Sequence, residues 1–137
     1  MRPAGAVIGL FVVGAIIGCG GSDSTGANPP PGGRQLPPNG ISIVLGAQTK
    51  GTAAFSPNPL SISLAGGGVV KWFNDDLGSG VYGSAGVTHN IIADDGSFNS
   101  GNLAPGDSFE ATLTTGGDHP YHCSIHPTMR GTVSVTP

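Results

Sequence analysis

Cys123, His126 and Met129 stand three residues apart in the segment YHCSIHPTMRG, residues 121–131. The chain has only two cysteines and two methionines, and one of these methionines is Met1, so this segment concentrates soft side chains in a sulfur-poor protein. A thiolate, an imidazole and a thioether together form a soft donor set, which suits Cu(I) and discriminates against Mg²⁺ and Ca²⁺. The spacing therefore predicts a site for a soft metal ion.

A fourth donor has to come from another part of the chain, and His89 in VTHNII is the best candidate because it lies at the edge of a predicted apolar strand. Predicted strands also flank the first three donors, with PYHC before the loop and GTVSV after it. Two histidines and one cysteine with a weak axial methionine are the ligand set of a blue-copper electron-transfer site. The sequence thus predicts one type 1 copper ion bound by His89, Cys123, His126 and Met129.

The remaining two histidines are not predicted to bind metal. His122 adjoins Cys123 on a strand, so its side chain should point to the opposite face. His119 precedes Pro120, and we expect it to lie in a solvated turn.

The composition favours an all-β domain. The chain of 137 residues contains 25 Gly and 12 Pro, and its apolar residues alternate with polar ones in short runs separated by turn residues. This pattern predicts a two-sheet β-sandwich, with Trp72 and Tyr121 as core aromatic residues. The formal net charge is −3 and basic residues do not cluster, which argues against binding to nucleic acid.

The N-terminus carries the pattern of an export signal. An apolar run at residues 4–18, shorter than the roughly 20 residues of a membrane-spanning helix, is followed directly by Cys19. The ending IIGC resembles the bacterial lipobox, although an ordinary signal peptide or a short uncleaved anchor remains open. We expect a lipoprotein signal peptide at 1–18, a lipidated Cys19 that begins a Gly/Pro-rich flexible tether at 19–40, and one folded domain at 41–137.

Acylation of Cys19 would leave Cys123 without a disulfide partner in the chain. An unoccupied thiol is a liability in an oxidising compartment, and metal binding is the simplest way to occupy it. The expected location is the bacterial cell envelope, with the lipid anchor in a membrane and the domain facing the periplasm or the extracellular side. A Gly/Ser-rich insertion, Asn74–Gly86, is expected to form a surface loop upstream of His89.

The segment YHCSIHPTMRGTV resembles the metal loop of the cupredoxins, the plastocyanin- and azurin-like small blue copper proteins, and is most similar to the amicyanin and pseudoazurin branch. VKWFN, THNI and FNSGNLAPGDSFEATL also resemble cupredoxin segments. The resemblance implies a Greek-key sandwich of about eight strands. It implies that His89, Cys123 and His126 are equatorial copper ligands and that Met129 is axial. It further implies that the backbone N–H of Asn90 bonds the cysteine sulfur while its side chain ties the two ligand loops together.

One-electron transfer is the expected function, with unidentified electron donor and acceptor proteins as partners of a monomeric chain. A copper carrier or storage protein is the alternative, although such proteins usually hold Cu(I) in exposed sites. An oxidase or a nitrite reductase would need a second copper or an open coordination position, so we do not expect an enzyme. Uncharged residues beside His126, among them Ile125 and Pro127, are expected to meet the partner.

Overall fold

The computed structural model describes residues 34–78 and 85–137, which form eight β-strands and three short 3₁₀ helices. The strands are β1 (Gly40–Ile43), β2 (Phe55–Ser56), β3 (Leu60–Ser63), β4 (Val69–Asn74), β5 (Ile92–Ala93), β6 (Ser108–Thr112), β7 (Gly117–His122) and β8 (Arg130–Thr136). The 3₁₀ helices span Ala47–Thr49, Gly51–Ala54 and Leu64–Gly66. The predicted all-β sandwich of about eight strands is confirmed. The predicted signal peptide and Cys19 lie outside the described residues, as do residues 79–84 of the insertion.

The first sheet has the strand order β2-β1-β4-β6. Strands β1 and β4 run parallel to each other, whereas β2 and β6 pair antiparallel with their neighbours. Ile41 and Ile43 of β1 and Val70 and Trp72 of β4 are fully buried. Their alternation with more exposed residues is the period-two pattern that directs one face of a strand to the core.

The second sheet has the order β3-β8-β7-β5, with β3 parallel to β8 and the other pairs antiparallel. Along β8, the residues Gly131, Val133 and Val135 are buried in alternation with more exposed neighbours. Strands β7 and β8 pair over six residues, from Gly117 to His122, and this pairing fixes both ends of the loop that connects them. No helix within the described ranges is long and apolar enough to cross a membrane.

Aromatic residues from both sheets meet in the core. The ring of Trp72 lies 5.4 Å from that of Tyr121 and 5.2 Å from that of Phe98, measured between centroids, and Phe55 packs edge-on against Tyr121 at 4.9 Å. Trp72 and Tyr121 are both fully buried, so their predicted core role is confirmed.

His119 does not lie in a solvated turn, and that prediction was wrong. It belongs to β7, is only 8% exposed, and its Nε2 lies 3.0 Å from the carbonyl oxygen of Thr115. The strand continues through Pro120 because the carbonyl of this residue accepts a hydrogen bond from the N–H of Asp94, on the side where β5 ends. The N–H that proline lacks would also point toward β5, and because β5 ends there, little backbone hydrogen bonding between strands is lost.

The insertion predicted to begin at Asn74 does not begin as an exposed loop, and this part of the prediction was also wrong. Asn74 ends β4 with no exposed surface, and Asp76 is only 1% exposed. Both side chains make hydrogen bonds inside the protein, which offset the cost of burying polar groups. Their polar character is typical of a surface loop, although they form part of the domain's interior.

Candidate metal centre

The loop between β7 and β8 places three of the predicted site residues within one tight turn. The N–H of Met129 donates to the carbonyl of His126 at 2.9 Å, and the N–H of Cys123 donates to the carbonyl of Met129 at 3.2 Å. These bonds close the loop on itself directly after His122 and directly before Arg130. The side chain directions of the loop residues are therefore set by strand pairing on both sides.

His89 reaches the same place from another part of the chain. Its backbone exchanges two hydrogen bonds with Leu103, at 3.1 and 2.7 Å, and forms an isolated bridge rather than a longer strand. The apolar strand predicted at VTHNII is accordingly reduced to β5, Ile92–Ala93, because the residues before it pair with a turn segment and not with β7. His89 is fully buried.

The structure brings His89, Cys123 and His126 together. The Nδ1 atoms of the two histidines lie 3.1 Å apart, the cysteine Sγ lies 3.9 Å from Nδ1 of His126, and the potential ligand atoms of all three lie within 4.8 Å of one another. Cys123 is fully buried, whereas His126 is partly exposed. Met129 is fully buried, and its backbone is bonded to both Cys123 and His126. Its axial role stays a prediction.

Asn90 connects the two segments that carry these residues. Its side-chain oxygen accepts a hydrogen bond from the N–H of Ser124 at 2.8 Å, and its side-chain nitrogen donates to the Ser124 hydroxyl at 2.9 Å. Its own backbone N–H lies 3.5 Å from the sulfur of Cys123. These are the contacts that the sequence resemblance implies for Asn90, and through them the position of His89 is coupled to that of the cysteine loop.

The environment favours a thiolate at Cys123. Burial raises the pKa of the thiol, but hydrogen bonds to the sulfur from His89 and from the N–H of Asn90 outweigh burial and lower the pKa to about 6. Burial lowers the pKa of His89, but its hydrogen bonds with Cys123 and Asp76 outweigh this effect, so the pKa is raised overall. A thiolate is the form of cysteine that binds metal ions.

Two buried polar residues, Asn74 and Asp76, support the site and were not predicted from the sequence. The side-chain nitrogen of Asn74 donates to the carbonyls of Val87 and Leu103, which flank His89 on two segments, and its side-chain oxygen accepts from the N–H of Asp76. Asp76 in turn lies 3.0 Å from Nε2 of His89. The only signal in the sequence was the polar run Asn74–Asp76 at the end of a buried strand, and this pattern is also typical of an ordinary turn.

The two other histidines lie away from the cluster. His122 contacts Asp94 through Nδ1, and His119 contacts a backbone carbonyl, so neither belongs to the group of His89, Cys123 and His126. That neither binds metal stays a prediction.

The arrangement fits a single copper ion. Nitrogen and sulfur ligands lie about 2.0–2.1 Å and about 2.3 Å from zinc, a metal of similar size, so two nitrogens on one such ion are at most about 4.2 Å apart and a nitrogen and a sulfur at most about 4.4 Å. The two distances measured from Nδ1 of His126 meet these limits. A thiolate with two imidazoles is a donor set suited to copper. The cluster of His89, Cys123 and His126 could therefore hold one copper ion.

No protein-family model matches the sequence. Among solved structures, the chain is similar to a purple cupredoxin from Nitrosopumilus maritimus, with 35% identity over 71% of this chain and 98% of that chain and a TM-score of 0.57. It is also similar to a copper-containing nitrite reductase from Thermus scotoductus SA-01, with 25% identity and a TM-score of 0.54, but the match spans only 24% of that chain and 77% of this one.

A reduced amicyanin variant matches 74% of this chain and 86% of its own, with 21% identity and a TM-score of 0.52, and at that identity the likeness concerns the fold alone. The purple cupredoxin, in contrast, is matched over almost its whole length at an identity that a shared fold alone does not require. With its two four-stranded sheets and its His–Cys–His cluster, the chain belongs to the cupredoxin family.

Proposed function

We propose that this protein is a one-electron carrier that holds a single type 1 copper ion through His89, Cys123 and His126, with Met129 as the axial ligand. The observation that carries the proposal is the convergence of the two imidazoles and the buried thiol within 4.8 Å. When bound by these residues, copper would supply a one-electron Cu(II)/Cu(I) couple for transfer between a donor and an acceptor protein. The protein's own task is to hold the ligands in one geometry for both oxidation states.

The differing exposure of the ligands supports electron transfer. Cys123 and Met129 are completely buried, which keeps the sulfur atoms away from water and from other thiols. His126 is the partly exposed member of the cluster, so its ring offers the shortest path between the site and a docked partner. A carrier that hands copper to another protein needs ligands that the recipient can reach, and two buried sulfur ligands argue against that alternative.

The surface beside the site suits a brief encounter with a redox partner. Among the described residues, the large hydrophobic side chains that are exposed are Leu45, Leu77 and Ile125, at 50%, 58% and 43%. Ile125 precedes His126 in the metal loop, and Leu77 follows Asp76, which contacts His89. An exposed apolar side chain directly before the partly exposed His126 suits a small, weak interface from which a partner dissociates quickly.

An enzymatic role has less support. In residues 34–78 and 85–137, the group of His89, Cys123 and His126 is the one cluster of at least three His, Cys, Asp or Glu side chains with metal-ligand spacing. A second copper site, which a copper oxidase or reductase would need within one chain, has no candidate there. The matched nitrite reductase is a much longer chain, of which this protein corresponds to about a quarter.

The ligand set can be tested by absorption spectroscopy on the Cu(II)-loaded domain. A copper–thiolate bond of this type should give an intense visible charge-transfer band, and Cys123→Ser and His126→Ala should abolish or strongly alter it. His122→Ala is the matched control, because this histidine adjoins the cysteine but contacts Asp94 instead of the cluster. Survival of the band in Cys123→Ser would refute the ligand assignment. Reversible one-electron voltammetry would separate an electron carrier from a copper carrier, which should release its copper readily to a chelator.

We also propose that the domain is attached to a membrane of the bacterial envelope by a lipid on Cys19, through the tether at 19–40. The support is the apolar run that ends directly at this cysteine. Extraction of the full-length protein should require detergent, and Cys19→Ser should leave the protein soluble or unprocessed. A mature chain that begins at another residue, with an unmodified Cys19 in the precursor, would contradict this part of the proposal.

A further inference from the structure

Asp76 places a carboxylate in the protein interior directly behind His89. Its side chain accepts hydrogen bonds from the N–H of Gly46 at 2.9 Å and from the N–H of Ala47 at 3.3 Å, and its Oδ2 lies 3.0 Å from Nε2 of His89. Gly46 has a φ of 70°, a left-handed conformation that suits glycine and lets two consecutive N–H groups converge on one anion. Asp76 is only 1% exposed, so nearly all hydrogen bonds to its carboxylate come from the protein.

These contacts favour a proton on Nε2 of His89. The two backbone N–H groups at Asp76 stabilise an ionised carboxylate, and a carboxylate accepts a hydrogen bond from a ring nitrogen that carries a proton. In a neutral imidazole the other nitrogen then has a free lone pair. That other nitrogen is Nδ1, the atom that lies 3.1 Å from Nδ1 of His126 in the cluster. The contact with Asp76 thus orients the ring, and a neutral ring with its proton on Nε2 presents the Nδ1 lone pair that can bind metal.

The carboxylate also adds negative charge beside the site. Among the described residues, His89 is the only titratable base in salt-bridge contact with Asp76. A carboxylate and the Cys123 thiolate together balance the two positive charges of Cu(II), but they leave one excess negative charge when the ion is Cu(I). Because the surroundings are buried and poorly screened, this imbalance stabilises the oxidised ion relative to the reduced one.

From these contacts we propose that Asp76 is a positioning residue of the copper site, which locks His89 with its proton on Nε2 and lowers the reduction potential of the bound copper. The inference deepens the proposed function and rests on it. A purely structural alternative exists, since Asp76 also ties the segment at Gly46 and Ala47 to the end of β4. The two roles differ in their effects: a structural tie changes the stability of the fold, whereas a positioning role also changes the redox potential and the tautomer of one histidine.

The first test compares Asp76→Asn with Asp75→Asn in the copper-loaded protein. Both substitutions remove one negative charge at neighbouring positions, but Asp75 bonds to Arg34 and Ser42 and not to the site. The amide in Asp76→Asn would offer one acceptor oxygen where three N–H groups now converge. We expect this substitution to raise the reduction potential and to weaken copper binding by about 10- to 100-fold, the range usual for outer partners of metal-bound histidines. Asp75→Asn should stay close to the wild type in both, and equal shifts in the two variants would overturn the proposal.

The second test needs no variant and therefore remains decisive if Asp76→Asn does not fold. Nitrogen-15 NMR of the imidazole rings identifies the protonated nitrogen of His89 in the copper-free protein, at alkaline pH where the ring is neutral, and in the Cu(I)-loaded protein. We expect the proton on Nε2 in both states, and a proton on Nδ1 in the copper-free protein would overturn the proposal. A wild-type protein that lacks the visible copper band would refute the proposed function instead, because the tautomer of the copper-free protein is measured without bound copper.

Discussion

Asn90 offers the sharpest test of how the two ligand-bearing segments are held together. Asn90→Ala removes both side-chain hydrogen bonds to Ser124 while leaving the backbone N–H of residue 90 in place near the Cys123 sulfur. The substitution therefore separates the side-chain link from the N–H···S contact. It also leaves His89, Cys123 and His126 themselves unchanged.

The expected loss of stability follows from the two bonds. Each neutral hydrogen bond contributes about 0.5–1.5 kcal/mol net, so their removal should lower the free energy of unfolding of the copper-free protein by about 1–3 kcal/mol. The upper part of this range applies if the N–H of Ser124 finds no water, and the lower part if it does, since Ser124 is exposed whereas Asn90 is only 7% exposed.

Urea denaturation of the copper-free proteins measures this effect, with Asn99→Ala as the control. The side chain of Asn99 accepts one local bond from the N–H of Gly101 at an exposed position, so its removal should change stability by less than about 0.5 kcal/mol. Copper should also dissociate faster from Asn90→Ala, because the two segments that hold the ligands are no longer joined by this side chain. If Asn90→Ala is no less stable than Asn99→Ala and retains copper equally well, the link between the segments does not support the site.

Other predictions concern the axial position, the thiol and the core. Met129→Gln should lower the reduction potential because an amide oxygen stabilises Cu(II), and Met129→Leu should raise it; unchanged potentials in protein-film voltammetry of both variants would mean that Met129 is not a ligand. In the copper-free protein the pKa of Cys123 is about 6, whereas the pKa of a free thiol is about 8.5. The thiolate therefore contributes its full stabilisation above the pKa of the free thiol, and this contribution is lost as the pH falls through about 6. The raised pKa of His89 acts in the opposite sense, because its contribution is complete below the ordinary histidine value and is lost as the pH rises. Urea midpoints across this pH range, with Cys123→Ser as control, measure the thiol contribution, and identical profiles would contradict it. Gly131→Ala should destabilise the fold by about 1–3 kcal/mol or more, because the added carbon would lie 2.7 Å from Cε2 of Tyr121 and closer still to its Cζ and hydroxyl; an unchanged denaturation midpoint would show that the ring can move aside.

Much of the fold could be predicted because its information is local. Alternating side chains in segments such as VVKWFN and GTVSV determine which face of each strand enters the core, and turn residues mark where strands end. The metal-binding role of the loop from Cys123 to Met129 could be predicted for the same reason, since the potential ligands lie three residues apart between two strands. His89 could be added because a soft donor set was incomplete without it.

Contacts between distant segments account for what the sequence did not reveal. The bonds from Asp76 to Gly46, Ala47 and His89 join residues 13 to 30 positions apart, and no local pattern distinguishes such a carboxylate from one in a solvated turn. His119 was missed for a related reason. The residue before a proline favours extended backbone, which is compatible with either a turn or a strand. A strand is possible at Pro120 because β5 ends early, so no neighbouring strand needs the N–H that proline lacks.

The site is consequently assembled by the protein rather than by the metal. Four segments meet at the site, and two buried residues connect them. The side chain of Asp76 bonds to Gly46 and His89, and Asn90 bonds to the metal loop through its side chain at Ser124 and its backbone N–H at Cys123. Because these bonds join protein groups only, the ligand directions do not depend on the charge of the bound ion. A centre fixed in this way has little freedom to adopt the different geometries that Cu(I) and Cu(II) prefer when unconstrained. A small rearrangement on oxidation or reduction is what rapid electron exchange requires, so the same buried hydrogen bonds that stabilise this end of the fold also equip it for electron transfer.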